Sequence, residues 1–411
     1  MRFYFCTKRD ISTFAFKILK AMVTQEVAKE IIDQSVFLLD TEEIPIQNCL
    51  GRVLAENVHS DMDMPPFNKS AVDGYACRKQ DLANDLELLE TIPAGKAPTL
   101  PIGLNQCSQI MTGAPIPEGA DTIVMIEHTQ IIEGKIRFIH EKTASNICAI
   151  GEDLKAWDLV LKIGDLIKTP QIPVLASVGK TIVKVYRLPK VAVISTGDEL
   201  VEPDVKPQTA QIRNTNAMQI MAQLSQLGIA GRYIGIAKDS PESTRQMLEV
   251  GLKESDIVLL SGGVSMGEFD FVPSILEENG IRILFRSIAV QPGRPTIFGK
   301  KEKQFFFGLP GNPVSSFVQF ELLVKPFLYA LMGHHFRPTP LKMPIGVDFS
   351  RKNTKRKSYF PVYFSDSGEV IPVDYNGSAH IHSYVQADGM IALQIGESTL
   401  KKGTLIDVRQ I

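Results

Sequence analysis

"DIVLLSGGVSMGEFDFVPSILEENG", residues 256–280, reads in three pieces. Ile257-Val258-Leu259-Leu260 is an unbroken apolar run, the mark of a strand buried on both faces. Ser261-Gly262-Gly263 follows, and glycines after a buried strand leave backbone N–H groups free to meet an anion. The remainder predicts a helix with proline near its start and glycine past its end. Strand, glycine loop and helix together are the repeating unit of an α/β sheet. One feature of the loop conflicts with a bare phosphate cradle: Glu268 and Asp270 stand in it, and carboxylates repel phosphate.

The same unit recurs on both sides. KVAVIST (190–196), IAGRYIGIA (229–237) and QFFFGLP (304–310) predict strands, and NAMQIMAQLSQLG (216–228) and PESTRQMLEVGLKE (241–254) predict helices. NPVSSFVQFELLVKPFLYALMG (312–333) predicts a long helix with Asn312 at the N-cap and Pro313 first. Strands alternating with helices predict a parallel sheet covered on both faces. Upstream, Val27, Ile31, Ser35 and Leu38 predict an amphipathic helix from Thr24 to Leu39. A short helix and a proline-rich loop then lead to Ala71-Val72-Asp73-Gly74-Tyr75, and residues 82–186 read mostly as short strands. Among them, DTIVMIEHTQIIEGKIRFIH (121–140) predicts a hairpin around Glu133-Gly134-Lys135. Downstream of residue 334, YFPVYFS, VIPVDYN, MIALQIGES and TLIDVRQI predict a small β-barrel or sandwich.

Composition bounds the rest. The 411 residues are 44% hydrophobic and 22% charged, enough for two to four globular domains at roughly 100–200 residues each. A formal net charge of −2 gives no global field for nucleic acid or an anionic membrane. No apolar stretch reaches the roughly 20 residues of a membrane helix. Cys6, Cys49, Cys77, Cys107 and Cys148 are scattered without a C-x-x-C, which reads as free thiols in a reducing, cytoplasmic setting and no zinc site. The basic run from Arg351 to Lys357 reads first as a solvated loop and second as an anion site. Residues 1–21 lack a signal-peptide pattern and are read as a non-native or disordered extension, the patterned chain starting at Met22.

Ligands of open α/β sheets sit beyond the carboxyl ends of the strands. STGDEL (195–200), SGGVSMGEFD (261–270) and LPGNPVSS (309–316) all fall there. Glu199, Asp239, Glu268 and Asp270 crowd the same rim. Capping explains one acid per helix, whereas a hard divalent ion explains the cluster. Mg²⁺ takes one or two carboxylates plus substrate phosphates and so cancels their repulsion. In SIAVQPGRPTIFG (287–299), prolines stiffen a loop carrying Arg294, whose planar fork suits an oxyanion; Arg356 is a candidate second cation. A phosphoanhydride site beside an oxyanion site fits nucleotide-linked group transfer.

In order along the chain, PPFNKSAVDGYA (65–76), MTGAPIPEGADTIVMIE (111–127), GED (151–153), STGDEL, SGGVSMGEFD, QPGRP (291–295) and GLPGNPVSSF (308–317) resemble the MoeA-type molybdopterin molybdenumtransferases, the family that includes the gephyrin E domain. The resemblance runs from Met22 to Ile411. It implies a multidomain α/β and β chain. Residues 22–45 and 145–186 would form an elongated N-terminal domain, and 46–144 an inserted, mostly β domain. Residues 187–331 would form a three-layer, parallel-rich α/β core like MogA and MoaB, and 332–411 a β-barrel-like C-terminal domain.

The implied reaction inserts molybdate into adenylylated molybdopterin and releases AMP with Mg²⁺ present. The rival functions are a molybdopterin adenylyltransferase-like enzyme and a non-enzymatic cofactor carrier or scaffold. By the resemblance, Asp73, Thr112, Asp153, Glu199, Asp239 and Asp270 are catalytic, with Asp239 and Asp270 on the metal. Asp73 and Thr112 would reach toward the partner's site in a homodimer. Ser261, Gly262, Gly263, Ser265, Pro310, Gly311, Asn312, Pro313 and Ser315 would hold the pterin nucleotide. Gln291, Arg294, Arg356 and Ser378 would hold molybdate. A molybdopterin adenylyltransferase and molybdoenzymes are the expected partners; no nucleic acid or membrane partner is expected. Where the family reads K-P-G-K/R-P, this chain has Gln291, a neutral amide in place of one cation. Asn68-Lys69 stands where Asp-Asn is common, with Lys69 a candidate replacement charge.

Overall fold

A computed structural model describes residues 22–264 and 271–411, so Ser265, Glu268 and Asp270 lie outside the described residues. The central sheet contains β1 (Val191–Thr196), β2 (Arg232–Ala237), β3 (Ile257–Ser261), β4 (Arg282–Phe285), β5 (Ile297–Lys301) and β6 (Gln304–Leu309). Their order is β2-β1-β3-β6-β5-β4. The first four are parallel, as the strand–helix alternation predicts. β5 runs antiparallel to both its neighbours, β6 and β4, so the sheet is parallel-rich, as expected, with one reversed strand. Only residues 302 and 303 separate β5 from β6, with Glu302 at φ 50°. So short a link can only join antiparallel neighbours.

Side chains alternate across the sheet with period two. Val191, Val193, Leu259, Phe305 and Phe307 face one way, against Ala217, Ile220 and Leu224 of helix Thr215–Gln226 and Phe320 and Phe327 of the 313–331 helix. Ala192, Ile194, Val258, Leu260 and Phe306 face the other, against Leu248 of helix Pro241–Lys253 and Val272 and Ile275 of helix Val272–Glu278. This accounts for the continuous apolar runs: every position meets a helix.

The 313–331 helix is long and apolar enough to cross a membrane by length and composition, contrary to the sequence reading, and most of it is buried inside the fold. It is not one regular helix. Pro313–Gln319 and Lys325–Leu331 are α-helical, and Phe320–Val324 between them is a π turn. The Lys325 N–H reaches back five residues to the Phe320 carbonyl. The next donor in that ladder would be Pro326, which has no N–H. The Glu321 carbonyl accepts instead from the guanidinium of Arg409, in the C-terminal strand Leu405–Gln410. The buried Glu321 carboxylate meets Lys325 Nζ at 2.9 Å and Gln223 Nε2 at 3.2 Å within the core, while its carbonyl, through Arg409, anchors the C-terminal domain.

That domain is an antiparallel sheet of Leu341–Pro344, Lys357–Phe364, Val370–Pro372, Gly389–Leu393 and Leu405–Gln410. At its edge, Val290–Gln291 of the core segment pairs in parallel with Lys357–Ser358. At the other end of the chain, the first helix runs Gln25–Asp33, shorter than expected, with the Thr24 hydroxyl accepting from Val27 N–H. Strand Thr41–Pro45 pairs with Ile182–Tyr186. Cys49, Leu54 and Val58 share a core with Ile167, Leu175, Val183 and Val185, although the sequence reading grouped them with the inserted segment. In that segment the expected hairpin is two structures. Thr122–Met125 joins a four-stranded sheet, and only Thr129–Ile132 and Lys135–Phe138 pair as a hairpin around Glu133-Gly134.

Phe298 centres an aromatic cluster, with ring centroids 4.8 Å from Phe307, 5.8 Å from Phe327 and 6.1 Å from Phe305. Truncating it removes the transfer free energy of the ring and leaves a cavity. Phe298→Ala is expected to cost ~3–5 kcal/mol, read from the urea unfolding midpoint at constant m-value.

Candidate active site

β1, β3 and β6 end level with one another, Ser195 pairing with Ser261 and Ser261 with Leu309. The three loops that follow them open onto one cavity of about 1240 Å³. Its far wall is supplied by the 291–295 loop, Arg356 and residues 375–382 of the C-terminal domain. Domain pairing through Val290–Gln291 and Lys357–Ser358 is therefore what closes the site.

One end combines acids with a glycine cradle. Glu199, Asp239, Ser261, Gly262 and Gly263 line it. Gly262 and Gly263 adopt φ 95° and 62°, and a Cβ on Gly262 would lie 2.5 Å from the Thr196 carbonyl oxygen, so the turn admits only glycine there. The Asp198 and Asp239 loops are tied reciprocally: Asp239 N–H donates to Asp198 Oδ1 at 3.1 Å and Asp198 N–H to Asp239 Oδ2 at 3.3 Å. Asp239 itself does not cap the helix after it. Ser240 does, its hydroxyl accepting from Ser243 N–H. Two carboxylates are thus held together at the cradle, with Glu199 beside them folded over Gly197.

Pro310, Gly311, Asn312, Pro313 and Ser315 form the floor where the 313–331 helix begins. Asn312 occupies the cap position, but its side chain makes no capping bond, which corrects the expected role. Asn312 Nδ2 donates to Ser378 Oγ at 2.8 Å, and the Val314 N–H donates to the Ser378 carbonyl at 3.0 Å. The helix start thereby fixes the C-terminal domain's loop.

The other end is cationic. Gln291, Arg294, Arg356 and Ser378 line it. Arg356 donates to the Gln291 amide oxygen at 3.3 Å and to the Val290 carbonyl at 3.5 Å. Burial lowers the pKa of Arg356, and the neighbouring Arg294 cation lowers it further. Two guanidiniums that repel one another favour any anion placed between them. Burial pushes the nearby Tyr375 hydroxyl up to about 12, leaving it a neutral donor. The first arginine of the basic run has a different fate: Arg351 donates to the Glu397 and Arg356 carbonyls at 2.7 and 2.8 Å and is a structural tie.

Asn214 and Asn216 line the cavity and were missed by sequence reasoning. Asn214 caps helix Thr215–Gln226, accepting from Ala217 N–H, and its Oδ1 also accepts from Ser195 Oγ. Asn216 Nδ2 donates at 2.7 Å both to Ser261 Oγ and to the Gly311 carbonyl, joining two of the loops. The legible signal was Asn-Thr-Asn at a helix start, which reads as capping alone. His382, also in the wall, gave no signal.

Asp73, Thr112 and Asp153 do not line this cavity. Asp73 Oδ1 accepts from the Thr112 N–H at 2.6 Å and its hydroxyl at 2.9 Å, which holds the carboxyl below its usual range. Asp153 is placed by its N–H, bonded to the Met64 carbonyl. Lys69 pairs with Cys148 in a short strand pair and is likewise outside the cavity wall.

Two outcomes are expected. Asn216→Ala strands the Gly311 carbonyl and Ser261 hydroxyl, costing ~1–3 kcal/mol in urea unfolding and weakening pyrophosphate binding in calorimetry. For Asp73, the depressed pKa means its bonds to Thr112 contribute fully above the ordinary carboxylate pKa and are lost as pH falls through the lowered one. Carbon-detected NMR should place the Asp73 midpoint below ~3.9, and Thr112→Val should move it up.

Three family models match the chain in series. They are the MoeA N-terminal region (domain I and II) over residues 23–179, a probable molybdopterin binding domain over 192–330, and the MoeA C-terminal region (domain IV) over 345–411. The molybdopterin molybdenumtransferase of Staphylococcus epidermidis is 36% identical over 397 residues, covering 93% of this chain and 94% of that protein. That of Haemophilus influenzae is 35% identical over 405 residues, covering 94% and 98%. A crystal structure of the molybdopterin biosynthesis moeA protein from Pyrococcus horikoshii superposes with a TM-score of 0.83 at 27% identity, covering 95% of this chain and all of that one. With these matches along its length, the chain belongs to the MoeA family of molybdopterin molybdenumtransferases, enzymes of molybdenum cofactor biosynthesis.

Proposed function

We propose that the enzyme takes adenylylated molybdopterin and molybdate as substrates, hydrolyses the anhydride P–O bond with water to release AMP, and places molybdenum on the dithiolene while a molybdate oxygen leaves as water with the two thiol protons. One observation carries this reading: a single cavity is lined both by carboxylates with a glycine turn and by two guanidiniums. Each set suits one part of the reaction. Ser261, Gly262, Gly263 and Ser315 offer donors to the bridging phosphates, while Arg294 and Arg356, with Gln291 and Ser378, hold the tetrahedral oxyanion.

The acidic end fits Mg²⁺. Glu199 and Asp239 supply hard oxygen donors, and Asp198 is bonded to Asp239's loop. Among the described residues no group of three or more His, Cys, Asp and Glu forms a closed metal cage. Mg²⁺ needs only one or two carboxylates when substrate phosphates complete its shell. When bound, Mg²⁺ would neutralise phosphate charge and polarise the anhydride. Asp270, expected as a second ligand, lies outside the described residues.

Asp73, Thr112 and Asp153 find their use if the chain is a homodimer and each inserted domain reaches the partner's cavity. A cytoplasmic location fits this reaction, because the pterin dithiolene must stay reduced. The presence of N- and C-terminal regions matching the family on both sides of the core favours insertion over adenylylation. The scaffold reading lacks a comparable observation.

The assay follows AMP release and activation of an apo-molybdoenzyme. Arg294→Ala should raise the molybdate requirement at least about tenfold, and Asp239→Asn should lower turnover by about 10² in the manner of a lost charge at the reacting phosphate. Turnover unchanged in EDTA would sink the magnesium assignment. Mixing Asp73→Asn with Asp239→Asn chains should restore about a quarter of wild-type activity, since half the dimers are mixed and each has one intact site. No restoration would sink the shared-site reading.

A further inference from the structure

The Gln291–Pro295 loop is held from beneath by a side chain that faces no ligand. Gln319 is 0% exposed and ends the helical segment Pro313–Gln319, just before the π turn. Its Nε2 donates to the Pro292 carbonyl at 3.0 Å. The next residue, Gly293, has φ 109°, and a Cβ there would lie 2.4 Å from Gln319 Nε2. The amide thus fills the space that a side chain at 293 would need. Thr296, also fully buried, closes the loop from its hydroxyl to the Gly293 carbonyl at 2.9 Å.

Gln319 Oε1 is buried with no hydrogen-bond partner among the described residues. A buried acceptor left unpaired costs free energy, and an apolar residue of the same shape would avoid that cost. What the amide supplies that an apolar residue cannot is its donor to Pro292. Besides the Thr296 bond, the Ile288 N–H ties the Arg294 carbonyl at 2.9 Å, but Gln319 alone holds the Pro292 carbonyl, between the two residues that face the cavity: Gln291 receives Arg356, and Arg294 lines the wall.

We infer that Gln319 is a positioning residue of the oxyanion site, fixing the Pro292–Gly293 backbone and hence the placement of Gln291 and Arg294. The same helix begins at Asn312, which is bonded to Ser378. One helix therefore references both walls of the cationic end to a common frame. The inference rests on reading that end as the molybdate pocket.

Gln319→Met keeps the shape and loses the donor. Sodium molybdate and, separately, pyrophosphate are titrated calorimetrically into full-length wild type, Gln319→Met and Arg294→Ala, with thermal midpoints recorded for each. Gln319→Met should weaken molybdate binding at least about tenfold while pyrophosphate affinity stays at its wild-type value; the stranded Pro292 carbonyl lowers the thermal midpoint in either case, and a merely structural role would weaken both ligands together. Should Gln319→Met fail to fold, Gln319→Leu is read by the same criteria. Wild-type molybdate affinity in the Gln319 variant, with Arg294→Ala weakened, overturns the inference and leaves the pocket reading standing. If Arg294→Ala behaves as wild type toward molybdate, the pocket reading fails and the inference falls with it.

Discussion

The site exists because two residues of the core segment, Val290 and Gln291, form a strand pair with Lys357 and Ser358 of the C-terminal domain. That pairing continues the C-terminal sheet into the α/β core and brings Arg356 within hydrogen-bonding distance of Gln291. Without it, the loops at the ends of β1, β3 and β6 would be an open rim with acids and glycines but no cationic wall. A second fastening, Arg409 on the Glu321 carbonyl, depends on a local defect: proline at 326 withholds a donor, the helix opens into a π turn, and the freed carbonyl is used between domains.

Electrostatically the cavity separates what a simple phosphate site would mix. Asp239 and Glu199 line it from the loops after β2 and β1, with Asp198 bonded to Asp239, and Arg294 and Arg356 line it from the 291–295 loop and the C-terminal domain. A ligand bearing only phosphate would be opposed by the acids, and one bearing only an oxyanion would leave the acids without a purpose. Two chemically distinct anions, one accompanied by a cation, satisfy both. Gln291 fits this division. Arg356 already suffers burial and the field of Arg294, and an amide oxygen at 291 accepts its hydrogen bond where a third cation would add repulsion.

The helix from 313 to 331 joins these themes. Its first residues floor the cavity, Asn312 holds Ser378, Gln319 supports Pro292, and Glu321 receives the C-terminal domain. One element therefore sets the relative position of loops that come from three regions of the chain. Its apolar faces are buried against β3, β5 and β6, so its position is fixed by the core rather than by the ligand.

Local chemistry was legible where physical demands are local. Apolar runs marked β1, β3 and β6, because a strand covered on both faces has little room for a polar position, while the edge strand β2 keeps Arg232 exposed. Glycine loops, the acids at 199 and 239, and Arg294 between prolines could be read because strand ends, charge and rigidity are written in adjacent residues. The hairpin β5–β6 was not, since its two-residue link lacks a glycine or asparagine, and Glu302 takes the left-handed conformation instead. Asn216 gave no sign of its role because its partners, Ser261 and Gly311, are far away in sequence. The sequence by itself determined the strands β1, β2, β3 and β6, the helices between them and the glycine turn after β3. Only the tertiary structure decided that Arg356 and Ser378 face Arg294, that Asn312 serves Ser378 rather than its own helix, and that Asp73, Thr112 and Asp153 stand apart from the cavity. Those outcomes depend on pairings between residues tens to hundreds of positions apart, and no local pattern encodes which distant partner a backbone edge or a side-chain donor will find.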